Sequence, residues 1–292
     1  MIDLDDKEYA EPIIFVMRTA DMIAGVKRVG KWEKGFFLVS GNPDFGPEPT
    51  ELDWNEHALE GIMRVKTGEC VYCGRYLPLT NDHIPPQALW GKPRPSDLVV
   101  VPSCKRCNGG ASKDDEYFKT MIVLKDRAGS HPEAVAIRDS VFRGLAKPKK
   151  KKFTQRILRS IREVGLRTPA GLYIGKEQVY DVDTIRLDRV IERVTRGLYW
   201  HHHGHVRLPD DFEVVVWSED GLRDITPEDA LQLRKTLIDP VINNPARLIG
   251  RNVLRYWYAS GDREHVTGWL FEFYSDVRFV AFTVPNTLAR TT

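Results

Sequence analysis

The sequence predicts an α+β fold: a ββα unit stapled by four cysteines, then a mixed α/β C-terminal domain. Three observations carry this. Cys70-x2-Cys73 and Cys104-x2-Cys107 use all 4 cysteines of the chain. The β-branched run Leu98–Val101 precedes the second pair, and Phe118, Met121, Ile122 and Leu124 follow it at helical spacing. Downstream, Phe212–Trp217 and Trp269–Val284 are rich in β-branched and aromatic residues, the composition of strands.

The chain has 292 residues, 42% apolar and 29% charged, the balance of a globular protein of about two domains. Its most apolar early stretch, Ile13–Val26, is interrupted by Arg18 and Asp21 and is too short and polar for a membrane span or a secretory core. The expected setting is therefore the cytoplasm, with no membrane partner. In a reducing compartment, close-set thiols serve as metal ligands or redox groups more often than as structural disulfides.

Four segments are expected. Residues 1–66 form an α/β segment that packs on the central unit, with a strand at Gly35–Val39, a turn-rich stretch at Gly41–Pro49 and a helix over Glu51–Val65. Residues 67–146 hold the cysteines and end in a helix, for which Ser112 and Asp115 resemble an N-cap and its acidic third residue. The lysine-rich run 147–152 reads as a basic linker. Residues 153–292 form an α+β domain of unknown role. It opens with a basic helix over Phe153–Val164, continues through a strand at Leu172–Ile174, and has a further helix start at Thr226-Pro227-Glu228-Asp229.

Each Cys-x2-Cys pair can form a knuckle that turns two thiolates toward one ion, and two knuckles complete a tetrahedral zinc site. Cys70, Cys73, Cys104 and Cys107 are thus the expected ligands of a structural Zn2+ with no open position for substrate. A dithiol redox motif and two disulfides are the competing readings, and neither accounts for Asn108 beside the second pair.

Between the pairs lies Thr80-Asn81-Asp82-His83-Ile84-Pro85-Pro86. Asp82 is a hard oxygen donor suited to Mg2+ or Mn2+, and His83 is a base that titrates near neutrality. Taken alone, the pair also reads as a turn aspartate and a surface histidine; its position between the knuckles favours function.

In this order, the DH-x-x-P strand, the Asp97-Leu98 turn and Cys-x2-Cys-Asn resemble the HNH endonuclease family over about Cys70–Lys125. The resemblance implies a ββα-metal site, with Asp82 and Asn108 as ligands of a catalytic divalent ion and His83 as general base. Asp97 stands at the family's middle asparagine, where it orients His83 or caps a turn. Asn108 lacks the family's lysine three residues on, which leaves Asp114 or Asp115 as alternative ligands. The activity implied is hydrolysis of phosphodiester bonds in nucleic acid, DNA rather than RNA, in bacterial defence. The alternative is a noncatalytic zinc-dependent module that binds nucleic acid or protein.

Net charge is only +2, yet Arg143–Arg167 holds 10 bases and 1 acid. Lys149, Lys150, Lys151, Lys152, Arg156 and Arg159 are therefore candidate phosphate contacts, with Arg162 continuing the helical spacing, although a solvated loop explains the lysines equally well. His201, His202, His203 and His205 read as structural or surface residues, since neighbours on a strand point apart. Tyr256, Trp257, Tyr258, Trp269, Phe271, Phe273 and Tyr274 read as β-rich core before base-stacking surface. The C-terminal domain is expected to position substrate or a protein partner, and cutting both strands of a duplex would call for a homodimer.

Overall fold

The computed structural model describes residues 13–17, 66–125, 128–167, 172–218, 231 and 234–289. The expected elements at Gly35–Val39, Gly41–Pro49, Glu51–Val65 and Thr226–Asp229 lie outside them.

Strand β1 (Ile13–Met17) is followed by β2 (Thr67–Glu69), β3 (Tyr76–Ile84) and β4 (Val99–Cys104), then helices α1 (Lys105–Leu124), α2 (Pro132–Leu145) and α3 (Lys151–Ser160). Next come β5 (Arg162–Arg167), β6 (Tyr173–Val182), helix α4 (Thr184–His202) and β7 (Phe212–Ser218). The chain continues with a short helix α5 (Asp239–Ile242), strands β8 (Arg247–Ile249), β9 (Leu254–Ser260), β10 (Thr267–Phe273) and β11 (Val277–Pro285), and helix α6 (Asn286–Ala289). Among the described residues these form three antiparallel sheets, ordered β2-β3-β4, β1-β6-β5 and β7-β11-β10-β9-β8.

The expected pairing of Leu98–Val101 with the His83 strand is present: Asp82 stands opposite Val101 and His83 opposite Val100. Helix α1 starts at Lys105, not near Ser112, because the second knuckle is itself the first helical turn. Ser112 lies inside the helix and donates to Gly109 O at 3.1 Å. The polar first half of α1 is mostly exposed; its second half buries Tyr117, Phe118, Met121, Ile122 and Leu124.

Helix α4 is the central support. Asp183 caps it by accepting from Arg186 N at 3.4 Å, and Leu187, Val190, Ile191, Val194 and Leu198 form its buried stripe. It lies close on β3: a Cβ added at Gly197 would sit 2.6 Å from Ile84 Cγ1, so only glycine permits that approach.

One hydrophobic core crosses the expected domain boundary, running from Val71 and Ile84 through α1 and α4 to Phe271, Phe279 and Ala281. Phe118 packs edge-on against Phe273 with ring centroids 5.1 Å apart, and Tyr180 donates to Met121 O at 3.1 Å. Residues 147–152 are correspondingly not a free linker. Pro148–Lys150 is a 3-10 turn, Lys151 opens α3, and Thr154 Oγ1 donates to Leu145 O at 2.6 Å. Of the described residues of the N-terminal segment, β1 pairs with β6, and Lys66 O accepts from Leu79 N of β3 at 2.8 Å. No helix among the described residues is long and apolar enough to cross a membrane.

Candidate functional site

The four cysteine sulfurs lie within 4.8 Å of one another, with Cys73 and Cys104 Sγ 3.9 Å apart. Tetrahedral zinc with Zn–S bonds of ~2.3 Å puts its sulfurs ~3.8 Å apart, so this cluster can hold a metal ion and is compatible with zinc. All four thiols are free, and Cys70 and Cys104 are buried. In the first knuckle Gly74 N donates to Cys70 O at 2.9 Å, and Gly74 takes φ +67°, a left-handed conformation natural to glycine. Burial opposes ionisation of Cys70, but the N–H groups of Cys104, Cys73 and Tyr72 outweigh it and bring the thiol down to about 7. Cys104 N is 3.3 Å from Cys70 Sγ. Burial pushes the thiols of Cys73 and Cys107 up, Cys107 far more, and Cys104 adds to it at Cys107.

Asp82 is only 6% exposed, and its carboxylate is fully engaged. Oδ2 accepts from Tyr72 OH at 2.8 Å and lies 3.3 Å from Arg193 Nε, while Oδ1 accepts from His83 N at 2.9 Å. Arg193, 10% exposed on α4, also pairs with Asp115 of α1, Nη1 to Oδ1 at 3.0 Å. One buried guanidinium thus ties strand β3 to helix α1. Burial raises the Asp115 carboxyl; Arg193 pulls it down, and Asp82 and Asp114 push it up. Burial likewise lifts Tyr72 well above the usual phenol range, with Asp82 adding to it.

The remaining candidates spread around this point. Asn108 Nδ2 donates to Thr80 Oγ1 at 3.0 Å and Asn81 O at 3.1 Å. Thr80 is two residues before Asp82 on a regular strand, so Asn108 approaches the face of β3 on which Asp82 stands. His83, by the same alternation, projects to the opposite face. It is half-buried, and burial lowers its imidazole below the usual range, with Asp82 opposing and Arg94 assisting.

Asp97 does not orient His83. Its Oδ2 accepts from Gly250 N at 3.0 Å, and no hydrogen bond among the described residues links it to the imidazole. Asp114 is held by Arg186 at 2.7 Å.

Sequence reasoning missed Tyr72 and Arg193. The signal for Arg193 was present: it falls within the apolar stripe of α4, between Ile191 and Val194, where a buried base needs acidic partners. Beside it opens a pocket of about 400 Å3 lined in part by Tyr72, Arg106, Cys107, Arg189, Arg193 and Arg196.

Among the expected phosphate contacts, Lys149, Lys151, Lys152, Arg156 and Arg159 are exposed. Lys150 is half-buried and pairs with Glu116. Arg162 leaves the helix for β5 and pairs with Asp181 at 2.5 Å.

The histidine run is helical rather than extended: His201 and His202 end α4, and His203 caps it. Their partners are tyrosines, His202 Nε2 with Tyr256 OH at 3.0 Å and His203 Nε2 with Tyr258 OH at 2.9 Å. Tyr256, Trp269, Phe271, Phe273 and Tyr274 are buried core; Tyr258 is partly buried and packs against it. Among the described residues, the cysteine cluster is the one group of three or more His, Cys, Asp or Glu placed to share a metal ion.

Comparison with family models, curated proteins and solved structures finds no match to this chain.

Proposed function

We propose that the chain is a zinc-stapled, metal-dependent nuclease of the HNH type that hydrolyses phosphodiester bonds in nucleic acid, DNA in preference to RNA. The observation that carries this reading is the hairpin β3–β4 running directly into α1 through a four-cysteine cluster, with Asn108 at the start of α1 bonded to Thr80 and Asn81 just before Asp82 on β3. In this reading zinc is structural, since four thiolates leave no coordination position for water.

As arranged, the side chains around Asp82 do not fit a divalent cation. Two hydrogen-bond donors and the Arg193 cation occupy the carboxylate, and the Asn108 amide is spent on Thr80 and Asn81. The reading therefore requires Arg193 to release Asp82 before Mg2+ or Mn2+ binds. What the chain itself supplies is His83, a half-buried imidazole that takes the proton of the attacking water.

A second reading is a noncatalytic zinc module that binds nucleic acid or protein. Specific observations favour it: the Arg193 ion pair and the placement of His83 on the face of β3 away from Asp82. Cytoplasmic placement rests on the short and polar early stretch Ile13–Val26, and a role in bacterial defence extends the nuclease reading by resemblance alone.

The discriminating experiment offers plasmid DNA, single-stranded DNA and single-stranded RNA with Mg2+ or Mn2+ to wild type, His83→Ala and an EDTA-treated sample. Cleavage by wild type that drops by at least about 10²-fold in His83→Ala, with zinc content unchanged, supports the nuclease. Nucleic acid bound but never cut overturns it in favour of the binding module, and cutting equal in both overturns the role of His83 as its base.

A further inference from the structure

A second concavity, of about 370 Å3, lies where α1, the turn before α3 and the first turn of α4 meet. Lys113, Lys147, Lys149, Lys150, Tyr117 and Phe153 line it. Its charges are unbalanced. Lys150 is matched by Glu116, and Arg186 at the rim by Asp114. Lys113, Lys147 and Lys149 form no ion pair among the described residues, and although Lys147 helps Lys150 hold the Glu116 carboxyl down, that one acid faces four lysines and Arg186 around the pocket. Neither the turn Pro148–Lys150 nor the first turn of α3 contributes an acid. The adjacent Lys119 reflects this crowding: burial holds its ammonium below the usual lysine range, Glu116 opposes, and Lys150 and Lys147 add to the shift.

The wall is aromatic. Tyr117 and Phe153 rings lie 5.6 Å apart, and the Arg186 guanidinium sits 4.2 Å over the Tyr117 ring. At 100° per residue, Lys113 and Tyr117 lie roughly 140° and 180° around α1 from Asn108. A strand held at Asn108 therefore does not run through this pocket.

We propose that the pocket binds a small polyphosphate anion the size of a nucleoside diphosphate, with phosphates on the lysines and the organic part against the rings. The volume falls within the range of small-ligand sites, roughly 300–1,000 Å3. Ammonium-to-phosphate hydrogen bonds are charge-assisted and favour phosphate over neutral ligands. The proposal does not depend on nuclease activity.

Isothermal titration calorimetry on the zinc-loaded full chain at low salt tests it, with inorganic tripolyphosphate, ADP, adenosine and a short oligothymidylate as probes. Tripolyphosphate and ADP are expected to bind one per chain, and adenosine not to bind. Lys147→Gln/Lys149→Gln should weaken ADP by at least about tenfold, with unfolding temperature and zinc content unchanged. Lys176→Gln, which removes an exposed lysine on β6, should bind as wild type. The proposal is overturned if ADP and tripolyphosphate give no binding, if Lys176→Gln weakens them as much as the pocket variant, or if only the oligonucleotide binds.

Discussion

Replacing Arg193 by methionine removes the cation shared by Asp82 and Asp115 while keeping an apolar side chain of similar length. Breaking a buried ion pair by deleting one partner costs about 3–5 kcal/mol. The structure sets a ceiling on the Asp115 share. That carboxyl has an ordinary value of 3.8, already raised by burial, and without Arg193 it loses its main opposing influence. Rather than stay charged, it protonates, which at pH 7 costs about 1.36 kcal/mol for each unit between 3.8 and 7, or ~4 kcal/mol. At pH 5 the same step costs under ~2 kcal/mol. A carboxyl whose folded value lies above its unfolded value loses stability as pH rises between the two. The deficit of Arg193→Met relative to wild type should therefore shrink by about 2–3 kcal/mol between pH 7 and pH 5. Urea unfolding curves at the two pH values measure it, and Asp82→Asn/Asp115→Asn/Arg193→Met should recover most of the loss. A deficit under about 1 kcal/mol at pH 7, or one that grows on acidification, would refute the reasoning.

Three further outcomes are expected. Cys107→Ser should lower zinc, measured by elemental analysis, well below one per chain and unfold the hairpin locally, because the binding free energy of a structural zinc is folding free energy. Gly250→Ala should destabilise by more than about 2 kcal/mol, since φ is +62° and the new Cβ would sit 2.2 Å from Trp90 Cζ2; in chemical denaturation, pairing it with Trp90→Phe should cost less than the sum of the two. Burial, with help from Arg247, His201 and His203, holds His202 down to about 4. Between that value and 6.5 the unfolded chain binds a proton the fold excludes, so stability present above 6.5 is lost as pH falls toward 4; unfolding temperature should depend less on pH in His202→Gln.

Spacing and alternation were legible where they act locally. The cysteine pairs, the strand Leu98–Val101 and the strand Phe212–Trp217 are in place because each needs only its own residues to declare it, while Trp269–Val284, read as one strand, folds back at residues 274–276 into the hairpin β10–β11. What required the third dimension did not read through. Asp97 resembled a histidine-orienting group, but its partner is Gly250, 153 residues on. The lysine run resembled a linker because it is charged, yet Thr154 and Lys150 anchor it to α2 and α1. Asp82 resembled an open metal ligand; the cation beside it comes from α4, and a lone arginine in a helix does not announce which acid it meets. The histidines are structural, as expected, but their placement on a strand was wrong for another reason. The apolar repeat of α4 from Leu187 to Leu198 was visible, and carrying that period forward would have placed His201 and His202 on its last turn.

The loop that joins β3 to β4 hangs from the far sheet at several points. Trp90 Nε1 donates to Gly250 O at 2.8 Å, and Tyr274 OH donates to Leu89 O at 2.6 Å. The cysteine hairpin is consequently no detachable finger. A protease nick in the lysine run would leave two pieces that stay associated, because Phe118 remains wedged between Phe273 and Phe279. If the thiols hold the proposed zinc, stripping it should in turn loosen residues near Gly250 as well as those beside the thiols, so the distant end of the molecule would sense whether the staple is loaded.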